Sequence, residues 1–304
     1  IASCLVGSEM CIRDRHPYFI KGEDEMAFVD LYVAEFVELE VTLMNARERL
    51  LASTDDEALH DMRIAVRRIR SLLIPVRKLE GVERLKAAAA EVGRLTTPTR
   101  DLEVMAGELD TRGLTEAAQA RRSRLPDQYK AIAKSQELNE LFAALDLWPA
   151  TFRSSSAGHD DKALRGAVMK SLTKLLDKVH IAVDDKHHDR HELRILIKRA
   201  RYLTEAFQEL SPLSPEAAKS LKKVQGALGS WHDHHQWCLR VHEEPDLQPL
   251  ESLWAESSEK ELAQAEAELK KLKQLLPAIS KKAQTQKNEA DAEARKRSGF
   301  ETNG

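Results

Sequence analysis

The stretch "LHDMRIAVRRIR" (59–70) decides how this chain folds, because it carries two interleaved helical patterns at once. Met62, Val66 and Ile69, continued by Leu73 and Val76, recur at alternating steps of four and three and form one unbroken apolar stripe. His60, Arg63, Arg67 and Arg70 recur at the same steps, about 100° round the helix. The basic groups therefore form a ridge beside the buried face and are not scattered over the solvent side. Residues 60–78 hold six Lys or Arg against a single acid, Asp61. Ordinary surface helices interleave opposite charges, because like charges three or four apart destabilise them. Such a ridge needs something anionic beside it, either carboxylates of neighbouring helices or a ligand.

A second stretch, "RHELRILIKRAR" (190–201), repeats the layout, with Leu193, Ile197 and Ala200 inward and His191, Arg194, Lys198 and Arg201 on the ridge. A shift of 131 positions lays His60 on His191, Arg63 on Arg194, Arg67 on Lys198, Arg68 on Arg199 and Arg70 on Arg201. A shift of 132 lays Asp101 on Asp233. An internal duplication into two four-helix units is the simplest reading. Two equivalent ridges facing each other across a pseudo-two-fold axis would line a positive groove, and a long, evenly charged anion is its natural guest. Arginine suits phosphate because its planar fork donates two parallel hydrogen bonds.

The rest of the chain agrees with an all-α fold. Of its 304 residues, 32% are charged and only 5% aromatic, with 12 Gly and 10 Pro, a mixture that favours helices over sheets. Apolar residues Leu31, Ala34, Phe36, Val37, Val41 and Met44 give a helical rhythm from about 24 to 52. Thr54 and Glu57 have capping-box spacing before the next helix, and Pro75 predicts a kink within it. Helical patterns follow from about 82 to an interruption at Pro98, over 114–149 with a break near Pro126, and over 162–183, 189–210, 214–242 and 250–275. Residues 16–152 are expected to form the first bundle, 153–161 ("RSSSAGHDD" with its preceding turn) a linker, 162–285 the second bundle and 286–304 a flexible tail. The opening "IASCLVGSEMCIRDR" (1–15) lacks periodicity and reads as a non-native leader. No apolar run reaches the roughly 20 residues of a membrane span. Three cysteines give no disulfide framework, so a reducing cytoplasm is the expected compartment. The formal net charge of -3 excludes a general attraction to polyanions, and any such binding must be local.

"LHDMRIAVRRIR" with "TRDLEV" (99–104), and "RHELRILIKRARY" with "LKKVQGALGSWHD" (221–233), resemble the two halves of the CHAD domain, the conserved histidine α-helical domain. The resemblance runs over about 25–285. It implies two pseudo-symmetric four-helix bundles with a basic central channel that binds inorganic polyphosphate, and association with polyphosphate granules. On that carry-over His60, Arg63, Arg67 and Arg70 bind phosphate from the first half, and His191, Arg194, Lys198 and Arg201 from the second. Arg100, Lys222 and Lys223 fall in the matching later motifs. Asp101 and Asp233 take the places of the family's motif aspartates, with the expected role of holding an arginine in position. The second half reads "SWHD" where the first reads "PTRD", a departure that weakens the charge near His232. A triphosphate-tunnel domain, a frequent companion, would need an E-x-E-x-K strand, and "ELEVT" (38–42) lacks the lysine.

Three other readings compete. His187 with His191, and "HDHH" (232–235), have spacings that chelate metal, yet no cysteine pair accompanies them and exposed helix-end histidines explain them. An all-α, HD-type metal-dependent phosphohydrolase would use His60–Asp61, His159–Asp160 or His232–Asp233, but Asp61 points 100° away from His60 beside a cationic ridge that repels metal. Nucleic acid is also a polyphosphate, but few aromatics adjoin the ridges to stack bases. The expectation is a non-catalytic binding protein without metal or cofactor.

Overall fold

A computed structural model describes residues 27–185, 187–281 and 283–285; the expected leader at 1–15 and tail at 286–304 lie outside the described residues. Among the described residues the protein is all-α, with eleven α-helices, three short 3-10 helices and no strand. The four helices expected in the second half appear as α8 (Asp161–Asp184), α9 (Arg190–Ala206), α10 (Pro215–Arg240) and α11 (Glu251–Leu275). The first half is more broken: α1 (Phe28–Ala52), α2 (Ala58–Leu72), α3 (Val82–Leu95), α4 (Thr97–Thr111), α5 (Thr115–Arg122), α6 (Leu125–Ala133) and α7 (Gln136–Arg153). Pro98 and Pro126 each sit in the first turn of a new helix, where the missing N–H has no helical partner to lose.

Three local expectations are corrected. Pro75 does not kink a long helix; α2 stops at Leu72 and turns follow. Proline disfavours the helical conformation of the residue before it and cannot donate to the carbonyl four back, so termination is the cheaper outcome. Leu73 and Val76 remain buried all the same. Thr54 and Glu57 form no capping box. Asp55 instead accepts the Glu57 N–H at 3.0 Å and pairs with Arg49, which holds its carboxyl far below the usual range. Finally, the apolar rhythm assigned to α1 is mostly not its core face. Phe28, Val29, Tyr32, Val33, Phe36, Leu43, Ala46 and Leu50 are buried, whereas Leu31, Val37, Val41 and Met44 are exposed. The helix has two apolar faces. The aromatic one turns inward because it stacks with α7: ring centroids are 4.9 Å apart for Tyr32–Phe152, 5.1 Å for Phe36–Trp148 and 5.4 Å for Trp148–Phe152.

Core packing ties the two halves together. The cluster built on α1, α2, α3, α6 and α7 also takes in Leu164, Val168 and Leu172 of α8 and Leu203 and Phe207 at the end of α9. A second cluster joins the rest of α8 and α9 to α10 and α11. A third joins Met105, Leu109 and Ala118 of the first half to Val241, Leu247, Leu250 and Trp254 of the second. At its centre the Glu108 carboxylate accepts from Trp254 Nε1 at 3.0 Å and from Arg112 Nε at 2.8 Å. The expected linker holds a 3-10 helix, Ser156–His159, with Gly158 buried so tightly against the Phe152 and Arg153 backbone that no Cβ fits. Asp161, at the start of α8, accepts the backbone N–H of Phe28 at 2.8 Å and of Val29 at 2.9 Å, and so caps α1 from across the chain.

Candidate polyanion site

Helices α2 and α9, which carry the two basic ridges, pack against each other. Their inward stripes are fully buried: Met62, Val66 and Ile69 on one, Leu193, Ile197 and Ala200 on the other. Anchoring those stripes in separate cores leaves the ridges beside them with one direction in common. At the crossing Arg67 donates to the Tyr202 hydroxyl, its guanidinium carbon 5.0 Å from the Tyr202 ring centroid. Arg67 Nε also bonds the Arg63 carbonyl at 3.2 Å, which folds the side chain back along its own helix. Arg63 is held at the junction of α3 and α4, donating to Thr96 Oγ1 at 2.7 Å, Thr97 Oγ1 at 3.2 Å and the Gly93 carbonyl at 3.3 Å.

The electrostatics report convergence directly. Burial, then the charges of Arg67, Arg194 and Arg63, pulls the Lys198 ammonium down from 10.5 to about 8. Two of those three arginines belong to the opposite half. Burial likewise lowers Arg63, with Arg67 adding to it, and lowers Arg194. His60 lies half-buried at the first-half end; burial and the charges of Arg100 and Arg67 lower its pKa, and its Nε2 is buried without a hydrogen-bond partner. His191 is exposed at the second-half end, its ring centroid 5.0 Å from that of His232. Burial, then Arg194, His191, His235 and Lys198, pushes His232 down to about 4.

Acids are present but subordinate. Asp101 lies 3.8 Å from Arg240 and also feels Arg63, while the strongest attraction on Asp233 is that of Arg194. Burial raises both carboxyls, and each adds its charge next to an arginine of the site, in keeping with a positioning role. Arg100 donates to Glu103 at 2.9 Å, and Tyr129 donates to the same carboxylate at 2.6 Å.

Not every expected residue joins the cluster. Arg70 is exposed at the outer end, its pKa lowered by burial of part of the side chain and by Arg199 and Arg94. Gly93 of α3 permits that approach: a Cβ there would lie 3.3 Å from an Arg70 nitrogen. Arg201, the repeat partner of Arg70, is buried and engaged, donating to Glu205 Oε1 at 2.6 Å and to Gln225 Oε1, and lying 5.7 Å from the Tyr202 ring centroid. Lys222 and Lys223 are exposed on α10; Lys223 lies one residue further round and faces Glu268 of α11. Three contributors were outside the expected set: Tyr202, Arg199 and Arg240. Arg199 had a signal, its match to Arg68, but Arg68 is committed to Glu35 at 2.8 Å and to the Glu205 carbonyl at 3.2 Å, whereas Arg199 faces Arg70.

With this geometry in hand, comparison with known proteins is informative. The model of the CHAD domain matches residues 37–242. The chain belongs to the CHAD domain family. Among solved structures, the CHAD domain from the plant Ricinus communis is similar, with a TM-score of 0.58 and 23% identity over 84% of this chain and 93% of that one. PptA from Streptomyces chartreusis aligns with a TM-score of 0.50 and 18% identity over 82% of this chain and 100% of that one. At such identities the likeness is one of fold. No curated protein matches the chain. Among the described residues of this CHAD protein, no group of three or more His, Cys, Asp or Glu side chains could hold a metal ion. Asp61, the acid of one HD pair, is bound by Arg49 at 2.6 Å. No helix among those residues is long and apolar enough to cross a membrane.

Proposed function

We propose that the basic surface where α2 and α9 meet binds inorganic polyphosphate without chemical turnover. One observation carries the reading: Lys198 is buried beside Arg67, Arg194 and Arg63, so that burial first and then the charges of arginines from both halves depress its pKa. Cations gathered in this way repel one another, and an anion bound among them offsets that repulsion more fully than Asp101 and Asp233 do. Membership of the CHAD family supports the choice of a phosphate chain, as does the excess of arginine, whose fork matches phosphate oxygens. His60, with its unpartnered buried Nε2, and Arg100 extend the track at one end, His191 and His232 at the other, and Arg70 with Arg199 lies beyond the crossing. Arg201 and Lys223 are left out of the phosphate contacts, and Lys222 is peripheral.

Isothermal titration with long-chain polyphosphate tests this. The R67E/K198E double variant should abolish binding while the far-ultraviolet helical signal stays unchanged. Wild-type affinity should fall steeply and log-linearly with salt, as each neutralised phosphate releases a counterion. Polyphosphate should outcompete DNA and RNA at equal phosphate, and chelators should have no effect. Normal binding by the double variant, a flat salt response, or release of orthophosphate on adding divalent metal would each overturn the reading.

A further inference from the structure

Helix α1 carries a second apolar face that nothing among the described residues covers. Val37, Val41 and Met44, one turn apart, are 45%, 60% and 47% exposed. These are three of the ten large apolar side chains left exposed among the described residues, gathered on one face of one helix. Scattered exposed apolar residues are ordinary; a contiguous stripe marks an interaction surface.

Beside the stripe, between α1 and α7, lies a cavity of about 460 Å³ lined by Met44, Arg47, Glu48, Asn139, Phe142, Ala143 and Asp146. Its charge is predominantly acidic. Arg47, the cation in the lining, pairs with neither Glu48 nor Asp146: its Nε donates to the Ala133 carbonyl at 2.9 Å and its guanidinium lies 5.8 Å from the Phe142 ring centroid. Glu40 sits against Asp146, and burial, then the Asp146 charge and their hydrogen bond, raises its carboxyl to about 7. The second Glu40 oxygen is buried without a donor. Glu38 and Glu48 are exposed along the stripe. Other nearby cations are committed elsewhere, Arg49 to Asp55 and Asp61, Arg68 to Glu35 and Arg153 to Asp30.

An apolar stripe at helical spacing, rimmed by more acids than cations and next to an open cavity that admits a side chain, fits one kind of partner. We infer that the α1–α7 face docks a cationic amphipathic helix of a partner protein, its apolar side on Val37, Val41 and Met44 and a lysine or arginine in the cavity at Asp146 and its partner Glu40. The charged end pairs with Asp146, which lines the cavity and bonds Glu40, and its methylenes lie on Met44 and Phe142. This face is separate from the basic surface, so the inference stands independently of what that surface binds.

The test uses fluorescence anisotropy with the full chain and two labelled synthetic helices, one of leucine, alanine and lysine with leucines at three- and four-residue steps, the other with glutamate for every lysine. The lysine helix should bind and the glutamate helix should not. The V41D/M44D variant, altered only at exposed positions, should lose at least about tenfold in affinity, as should E40Q/D146N, with polyphosphate binding and thermal midpoint unchanged in V41D/M44D. Failure of the lysine helix to bind, or equal binding to wild type and both variants, overturns the inference. So does a wild-type dimer in sedimentation that V41D/M44D dissociates, which would assign the face to a second copy of the chain.

Discussion

At neutral pH Lys198 keeps its proton although burial and three arginines have brought its pKa from 10.5 to about 8. A base whose pKa is lower folded than unfolded binds more protons unfolded, so stability is reduced below about pH 8 and recovers as pH rises from 8 towards 10.5. K198M, which removes the charge and keeps the length, should therefore raise the thermal midpoint at pH 7 and lose that advantage by pH 10.5. A bound polyanion favours the protonated amine, so binding at pH 8.5 should take up a proton, seen as a dependence of the calorimetric enthalpy on buffer ionisation heat. Affinity should decline by up to about tenfold per pH unit above 8. His60 adds attraction only at pH below the ordinary histidine range, because burial and its arginine neighbours lower it. Arg70 and Arg201 part company despite equivalent spacing. R70A should weaken polyphosphate binding and change stability by less than about 0.5 kcal/mol. R201A should cost about 1 kcal/mol in a denaturant melt, since it removes a buried side chain together with its bonds to Glu205 and Gln225. Spacing places both arginines on the ridge; Arg201 has an acid four positions on, Glu205, where Arg70 has Ile74, while its second partner, Gln225 of α10, is not visible in the periodicity of α9.

Elements were legible where a pattern had one solution. The stripes of α2 and α9, the starts of the second-half helices and the ridge beside each stripe follow from steps of three and four. Asp160, Asp189 and Ser214 accept the N–H of Ala163, Glu192 and Ala217 as N-caps should. Patterns with two solutions misled. In α1 the residues 31–44 satisfy a helical rhythm on either of two faces, and the choice is made by aromatic partners on α7, more than a hundred positions away. Where a proline can bend or end a helix, as at Pro75, the local chain does not decide either. The N-terminus of α1 shows the same dependence on distant chain. Ala27 offers no side-chain cap, and Asp161 supplies it with two charge-assisted hydrogen bonds. D161A should destabilise the protein by about 1–2 kcal/mol in urea, and D161N should recover part of the loss by keeping one acceptor.

At the scale of the molecule, the sequence repeat suggests two separable halves, while the packing makes them interdependent. Leu164, Val168, Leu172, Leu203 and Phe207 complete the core of the first half. A fragment of residues 27–160 should accordingly lose its cooperative thermal transition, and adding residues 161–285 as a second fragment should restore it. The third core has a kinetic corollary. Met105 and Leu109 from one half, and Leu247, Leu250 and Trp254 from the other, are interlocked, so the span between the two rows of arginines is settled when the chain folds. A slot whose banks are fastened in advance has no gate to shut around its guest. Capture should then proceed at a pace set by encounter and long-range steering, slowed by salt and indifferent to any slower rearrangement of the protein.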